Sequence, residues 1–189
     1  GTDTYTWVVD TTGPNPSIDS GPSDPTNETT ATFEFTSDEE SSFECLLDWS
    51  SGGTWEVCTS PKSYDDLSEG SHEFDLRATD NAGNVDASST WTWMIDTTEP
   101  ETTIDSGPNP FDGSVGATFE FSSPSDNDSQ MLFECSLDSG AWESCTSPKG
   151  YTNLSEESHH FSVRTIDLAG NIDSSPSEWN WTVDVTDPE

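Results

Sequence analysis

The stretch Phe74-Asp-Leu-Arg-Ala-Thr79 decides the fold of this chain. Apolar residues occupy every second position, at Phe74, Leu76 and Ala78, and polar residues separate them. Successive side chains of a β-strand point to opposite faces, so a period of two predicts a strand with one buried and one solvated face. Residues 161–165 repeat the arrangement, with a threonine in the third apolar position. The pattern therefore predicts a matching pair of half-buried strands.

Short runs of the same kind flank this stretch, and turn residues separate them. Strands at intervals of roughly 8 to 12 residues, without helical periodicity, are typical of an all-β sandwich with up to seven strands per domain. In the first part of the chain the predicted strands are 17–20, 31–36, 42–48, 54–59, 71–79 and 89–96, with a short strand at 62–65.

The chain contains one unit twice. The motif Asp10-Thr-Thr-Gly-Pro returns as Asp96-Thr-Thr-Glu-Pro, and Trp55-Glu-Val-Cys returns as Trp142-Glu-Ser-Cys. Self-similarity at a fixed period indicates tandem repetition of one structural unit. The sequence therefore predicts two tandem β-sandwich domains.

The repeat also predicts the domain boundaries. Residues 10–96 form the first predicted domain and residues 97–184 the second. Residues 1–9 carry a further copy of the closing motif, so we interpret them as the closing strand of a preceding repeat, or as a strand donated to a neighbouring subunit. Residues 185–189 begin a third copy of the linker. Neighbouring repeats of the same protein are therefore the predicted partners, and self-association into filaments extends this prediction.

Charge restricts the class of partner. Asp and Glu total 38 against four Lys and Arg, for a formal net charge of -34. Such acidity excludes nucleic acid and anionic membrane surfaces as partners and favours cations. It also predicts a halophilic setting, bound calcium or both, because unscreened like charges destabilise a compact state. No run approaches the roughly 20 apolar residues of a membrane-spanning helix, so membrane insertion is not expected.

Four cysteines occupy matching places in the two repeats. Cys45 and Cys58 lie on adjacent predicted strands joined by a hairpin, and Cys135 and Cys145 repeat the pair. One disulfide within each domain is the simplest pairing. A four-cysteine zinc site needs pairs about two to four residues apart, which these spacings do not provide. Disulfides predict an extracellular or cell-surface location.

Three motifs connect the chain with a known family. They are the Asp-Thr-Thr-x-Pro linker, the Phe43-Glu-Cys-Leu-Leu-Asp strand and the Asp80-Asn-Ala-Gly-Asn-Val-Asp turn. In this order they resemble the tandem immunoglobulin-like domains, some close to fibronectin type III, of bacterial and archaeal extracellular surface proteins. The resemblance covers nearly the whole chain and implies two immunoglobulin-like β-sandwich domains. It also implies a mechanical role, since that family serves mainly as stalks, adhesin spacers and polymer-forming units.

The Ala-Gly-Asn turn of each repeat is the candidate metal site. Hard oxygen ligands surround it, and calcium takes about six to eight such oxygens. The candidate ligands are Asp80, Asn84, Asp86 and Asp96 for the first turn, and Asp167, Asn171 and Asp173 for the second. The alternative is that Asp and Asn only cap a tight turn, and the sequence favours it because no dense Asp-x-Asp-x-Asp loop is present. No cofactor is required, and calcium is the one candidate.

The tryptophans belong either to the hydrophobic core or to an exposed contact surface. Trp91 and Trp93 lie two residues apart on a predicted strand and share one face, as do Trp179 and Trp181. Core packing is the favoured interpretation, and stacking on sugar rings is the alternative. Trp49 lies in an insertion without a counterpart in the second repeat, which makes it the expected exposed contact residue.

Two further residue types recur. The four cations match in register, Lys62 with Lys149 and Arg77 with Arg164, which predicts structural salt bridges, with a Lys–Asn crosslink as an alternative for the lysines. Asn-x-Ser/Thr sequons predict candidate glycosylation sites, at Asn27, Asn127, Asn153 and Asn180. Asn180 alternates with two tryptophans, so we expect it to face away from them.

Nothing in the sequence indicates an enzyme. The histidines are His72, His159 and His160, and none accompanies a nucleophile motif. There is no Gly-x-Ser-x-Gly, His-Glu-x-x-His or phosphate-binding loop. The leading hypothesis is a structural or spacer segment of an extracellular repetitive surface protein or filament. The alternative is an adhesion module that binds a glycan or a protein through loop 49–53 or loop 124–130.

Overall fold

The computed structural model describes residues 2–124 and 131–186, with only the backbone described at positions 87 and 88. The chain divides into two compact units, residues 1–96 and residues 97–189, which we call the first and the second domain. Each domain consists of β-strands in two sheets with one disulfide. This confirms the predicted all-β, immunoglobulin-like architecture.

Seven strands make up the described part of the first domain, in the positions that the sequence predicts. One sheet contains β1 (Pro16–Ser20), β2 (Ala31–Ser37) and β5 (Lys62–Tyr64), in the order β1-β2-β5. The other sheet has the order β4-β3-β6-β7, formed by β3 (Ser41–Leu47), β4 (Glu56–Cys58), β6 (Gly70–Asp80) and β7 (Val85–Ile95). All neighbouring strands are antiparallel.

The second domain repeats this plan over its described residues. One sheet has the order β13-β10-β8, formed by β8 (Thr103–Ser106), β10 (Ala117–Ser122) and β13 (Lys149–Tyr151). The other has the order β12-β11-β14-β15-β9, formed by β9 (Phe111–Asp112), β11 (Leu132–Leu137), β12 (Glu143–Cys145), β14 (Ser158–Ile166) and β15 (Ser177–Val183). Strand β9 pairs in parallel with β15. No sequence pattern indicates β9, because two residues are too few to display a period.

Stacked phenylalanines fill the core of each domain. Phe33 and Phe74 are fully buried, with ring centroids 4.0 Å apart, and Trp93 meets Phe33 edge-on at 5.3 Å. Phe119 and Phe161 repeat the stack at 4.0 Å in the second domain. Each fully buried side chain of this size stabilises the fold by about 2 to 3 kcal/mol. The alternating face of β6 that the sequence predicts is therefore the core face.

The paired tryptophans belong to these cores. Trp93 and Trp181 are 2% and 3% exposed, which confirms the core interpretation. Trp91 packs at the edge of the same core and donates a hydrogen bond from Nε1 to the carbonyl of Pro22. A side chain at Gly21 would lie 2.8 Å from the Trp91 ring, so the Ile-Asp-Ser-Gly-Pro motif needs its glycine.

No helix of the described residues is long and apolar enough to cross a membrane.

Candidate functional site

A disulfide joins the two strands of the same hairpin in each domain. Cys45 on β3 bonds Cys58 on β4, and Cys135 on β11 bonds Cys145 on β12, each with a Cα–Cα distance of 5.9 Å. All four residues are buried at the edge of a core. The predicted pairing is thus confirmed, and a hairpin only three pairs long becomes covalently fixed.

The first candidate metal turn is held by its own hydrogen bonds. Asp80 ends β6, and its Oδ1 accepts the backbone N–H groups of Ala82 and Asn84, both at 2.8 Å. Its Oδ2 accepts the side-chain amide of Asn84 at 2.8 Å. The hydrogen bond from the Asn84 side chain lowers the pKa of Asp80, as do the backbone N–H groups of the turn, although burial opposes them. Asp80 and Asn84 therefore cap a tight turn, which is the interpretation that the sequence favours over metal binding.

Three carboxylates nevertheless converge beside this turn. Ligand oxygens of Asp10, Glu39 and Asp80 lie within 4.8 Å of one another, the one such group in the described part of the chain. Burial and the nearby charges of Asp80, Asp10 and Asp38 raise the pKa of Glu39. Like charges so placed attract a cation. The calcium site stays a prediction.

The residues of this cluster differ from the metal ligands that the sequence predicts. Asp80 is common to both sets, whereas Asp86 lies on β7 and Asp96 donates its N–H to the carbonyl of Thr26 at 2.9 Å. Asp10 opens the first linker, and Glu39 lies in the turn between β2 and β3. The linker repeat could have identified Asp10, because Asp96 is its counterpart. No sequence signal marks Glu39, because only the fold brings the β2–β3 turn to this end of the domain.

The second candidate turn secures the chain that enters its domain. Asp167 accepts the backbone and side-chain amides of Asn171, each at 2.8 Å. Asp173 accepts the Thr102 N–H at 3.0 Å and the Ser175 N–H at 2.8 Å, and is 3% exposed. These carboxylates thus accept hydrogen bonds from N–H groups of the turn and of the entering chain, and buried polar groups require such partners.

A buried histidine forms an unpredicted contact in each domain. His159 is 4% exposed, and its Nδ1 lies 2.9 Å from Asp138 Oδ2 while its Nε2 lies 3.0 Å from the Ser155 carbonyl. Both partners are acceptors, so both ring nitrogens must carry a proton. Burial lowers the pKa of His159, but the hydrogen bonds to Asp138 and Ser155 outweigh it and raise the pKa above its ordinary value. His72 makes the equivalent contacts in the first domain.

The arginines form the predicted salt bridges and add an aromatic contact. The Arg77 guanidinium lies 4.4 Å from the Trp55 ring centroid, and its Nε donates to Glu44 at 2.8 Å. Arg164 repeats this arrangement over Trp142 with Glu134. Of the lysines, Lys62 pairs with Glu56 at 2.7 Å, and both lysines lie over a neighbouring tyrosine ring. Each outer sheet face therefore carries an indole, a guanidinium and a carboxylate in contact.

The remaining candidates lie at the surface. Asn153 and Asn180 are exposed and Asn27 is half-buried, whereas Asn127 falls outside the described residues. Asn180 faces away from its neighbouring tryptophans, as expected from the strand period. Use of the sequons stays a prediction. Trp49 is 66% exposed on a short 3-10 helix, as expected of a contact residue.

Residues 8–97 match a family model described as a bacterial Ig-like domain. Fibronectin(III)-like modules of CbhA from Clostridium thermocellum superpose with a TM-score of 0.52 at 14% identity, over 89% of this chain and 94% of that one. At this identity the likeness shows a shared fold.

Two other solved structures are similar at a lower level. A structure concerning a 1.5-MDa bacterial ice-binding adhesin gives a TM-score of 0.47 at 15% identity, over 92% of this chain and 65% of that one. The chicken CNTN1 FN1–FN3 domains give 0.48 at 11% identity, over 89% and 68%. No curated protein sequence matches the chain.

Proposed function

We propose that this chain, whose residues 8–97 match a bacterial Ig-like domain and whose two domains share one β-sandwich plan, is a load-bearing spacer of an extracellular, repetitive surface protein. The observation that carries the proposal is a parallel backbone contact in each domain, between an early segment and the closing strand. The disulfides support an oxidising, extracellular location. The proposal requires no catalytic group and no bound cofactor.

In the first domain this contact joins Thr26 to the end of β7. The Thr26 N–H donates to the Met94 carbonyl at 3.0 Å, and the Asp96 N–H donates to the Thr26 carbonyl at 2.9 Å. Thr26 and Ile95 form an isolated parallel β-bridge. A pull on the two chain ends therefore draws these segments in opposite directions along their length. Both hydrogen bonds then bear load together instead of opening one after the other.

The second domain has the same contact in a longer form. The Thr182 N–H donates to the Pro110 carbonyl and the Asp184 N–H to the Asp112 carbonyl, both at 2.9 Å. Here the early segment is strand β9, paired in parallel with β15. We call the two contacts the parallel clamps. Their recurrence in both domains supports a role in which every repeat bears tension.

An exposed apolar segment supports a longer array. Tyr5, Trp7 and Val9 are 89%, 75% and 71% exposed. Their repeat counterparts at positions 91, 93 and 95 pack into the core of the first domain. Residues 5–9 thus have the side chains of a closing strand but are exposed, and burial against the core of a further repeat is the arrangement that the proposal predicts for them. A strand donated to another subunit is the alternative occupant.

A matched pair of substitutions at Thr26 tests the load-bearing role. Thr26→Pro removes the N–H that donates to Met94, whereas Thr26→Ala removes the side chain and keeps that N–H. In single-molecule stretching of the whole chain, we expect T26P to lower the unfolding force of one of the two domains well below that of T26A. Equal forces for the two variants would contradict a load-bearing clamp.

A further inference from the structure

An insertion in the first domain holds a tryptophan at the surface. Residues 48–53 fold back over β3, beginning at Asp48 in the left-handed region with φ 51° and continuing as the 3-10 helix Trp49–Ser51. A Cβ atom at Gly53 would lie 1.9 Å from the Leu47 carbonyl oxygen, so the glycine permits this close approach. The Ser51 and Gly53 N–H groups donate to the Asp48 carbonyl at 2.9 and 3.2 Å and close the loop, while the Trp49 side chain remains 66% exposed.

Trp49 lines two clefts beside β6. One, of about 340 Å³, is lined by Trp49, Trp55 and Leu46 together with Glu73 and Asp75. The indoles and Leu46 supply its apolar wall, and the two acids lie on β6 beside them. The combination of a flat apolar wall and a charged rim suits a ligand that has an apolar stem and a polar head.

The second cleft has the same character. Its volume is about 490 Å³, and Trp49 lines it together with Asp24, Asp48, Glu73 and Met94. Of the residues that line the two clefts, none is Lys or Arg, and the one basic side chain, His72, already contacts Asp48. Four carboxylates therefore border Trp49, and among the lining residues His72, at Asp48, is the one basic partner.

Electrostatics agree with this geometry. The charge of Asp75 raises the pKa of Glu73, and burial, a hydrogen bond with Asp75 and the charge of Asp48 add to the effect. Such a rise means that the negative charges repel one another where they stand. A bound cation would relieve that repulsion.

The same sheet face already shows how a guanidinium is held. Arg77 lies over Trp55 at 4.4 Å while Glu44 accepts its Nε–H. Guanidinium groups stack on indole faces and donate to carboxylates at the same time. Trp49 with Glu73 and Asp75 offers the same two elements, but with the indole open to solvent.

We propose that this surface, defined by Trp49, Asp48, Glu73 and Asp75 and called here the Trp49 face, binds an arginine-bearing segment of a partner protein. The inference goes beyond the spacer role and does not depend on it. Charge complementarity selects the partner, because a chain of net charge -34 attracts and steers a basic segment. The indole supplies the contact that simple charge attraction lacks.

The second domain provides an internal comparison. At the positions of Glu73 and Asp75 on the equivalent strand β14 it has His160 and Ser162. In place of the insertion it has a short turn after β11. The Trp49 face is thus specific to the first domain. Replacing Glu73 and Asp75 by the residues of the second domain uses side chains that an equivalent strand already accommodates.

Titration of the whole ¹⁵N-labelled chain with acetyl-Gly-Arg-Gly-Arg-Gly-amide, followed by NMR at near-physiological ionic strength, tests the proposal. We expect shifts confined to residues 48–55, 73–75 and 90. W49A should raise Kd by about tenfold, a size typical of losing a cation–π contact that the bound peptide desolvates. E73H/D75S should raise Kd by about as much, because it removes the two carboxylates that accept hydrogen bonds from the guanidinium. D105N/E120Q removes the same charge from exposed positions of the second domain, and its Kd should stay within about twofold of wild type.

Several results would overturn the proposal. Shifts spread evenly over both domains would reveal charge attraction alone, and an unchanged Kd for W49A would remove the indole from recognition. Oligosaccharide binding at Trp49 without peptide binding would assign the surface to glycans instead. Folding of each variant is checked by the dispersion of its amide spectrum, so that a loss of binding is not confused with a loss of structure.

Discussion

The imidazole ring of His159 contributes to the stability of the second domain through two contacts. Its two nitrogens link Asp138, on the turn after β11, to the Ser155 carbonyl before β14. Hydrogen bonds to its partners hold the pKa of Asp138 low although burial opposes this, and the pKa of His159 is raised. The charged pair therefore fastens two loops at one end of the sandwich.

The sign of the pH dependence follows from these shifts. A histidine with a raised folded-state pKa adds stability that is complete below its unfolded value of 6.5 and is lost as pH rises through the folded value. An aspartate with a lowered pKa adds stability above its unfolded value of 3.8 and loses it as pH falls through the folded value. The contribution of the pair is therefore largest between these two values.

We expect the H159Q substitution to remove this dependence. Urea unfolding of wild type and H159Q is measured at fixed ionic strength from about pH 5 to about pH 9. It gives the difference between the two proteins in the unfolding free energy of the second domain. That difference should be largest near pH 5 to 6 and should shrink as the pH rises. A difference that is independent of pH would show that the ring acts by packing alone. H160Q, at the neighbouring half-buried position, is the matched control.

Individual contacts were predictable where they are local. The Asp80–Asn84 turn spans four residues, and its turn chemistry is visible in the Asp-Asn-Ala-Gly-Asn motif. The contact between His72 and Asp48 spans 24 residues and joins a strand to a loop. No local pattern encodes such a pair, because the fold brings its members together. The same reason explains why Glu39 was absent from the predicted metal site.

The disulfide hairpins are the elements that contribute most beyond hydrophobic burial. Each fixes a short outer strand, β4 or β12, to its neighbour. In the chain-entropy model, loops of this length contribute roughly 3 kcal/mol. Such a contribution is a large part of the stability of a small domain.

Removal of one disulfide should therefore destabilise one domain. We expect C45A/C58A to lower the unfolding free energy of the first domain by about 3 kcal/mol in urea and to leave the transition of the second domain in place. C135A/C145A should do the converse by a slightly smaller amount, because it opens a loop of 10 instead of 13 residues. Changes below about 0.5 kcal/mol would contradict a stabilising role of the disulfides.

Strand positions followed from the sequence more completely than strand partners. All seven predicted strands of the first domain appear, since each has a period of two or a β-branched and aromatic run. The parallel clamp was not predicted, because Thr26 contributes a single bridge and Phe111–Asp112 only two residues. Backbone pairing of that size depends on tertiary position and leaves no pattern in the side chains.

Net charge dominates the behaviour of the molecule as a whole. A formal charge of -34 in 189 residues opposes compaction, and dissolved salt screens it. Sodium chloride should therefore raise the melting temperature of both domains. The response should be gradual, as expected for general screening.

The calcium hypothesis predicts an additional, specific response. At fixed ionic strength, calcium should raise the melting temperature of the first domain more than magnesium does, because the two ions differ in coordination number and rigidity. The D10N/E39Q substitution alters two exposed members of the three-carboxylate cluster and should abolish the difference. Differential scanning calorimetry gives both melting temperatures. An unchanged melting temperature on adding calcium would rule the hypothesis out.

Single-molecule stretching of the wild-type chain, in oxidising and then reducing buffer, tests the spacer role most directly. We expect two separate unfolding events, one for each domain. The disulfides close loops of 13 and 10 residues with a Cα–Cα distance of 5.9 Å, and an extended residue spans about 3.5 Å, so reduction should lengthen one event by about 40 Å and the other by about 30 Å. Smooth extension at low force, without distinct events, would contradict a load-bearing pair of domains.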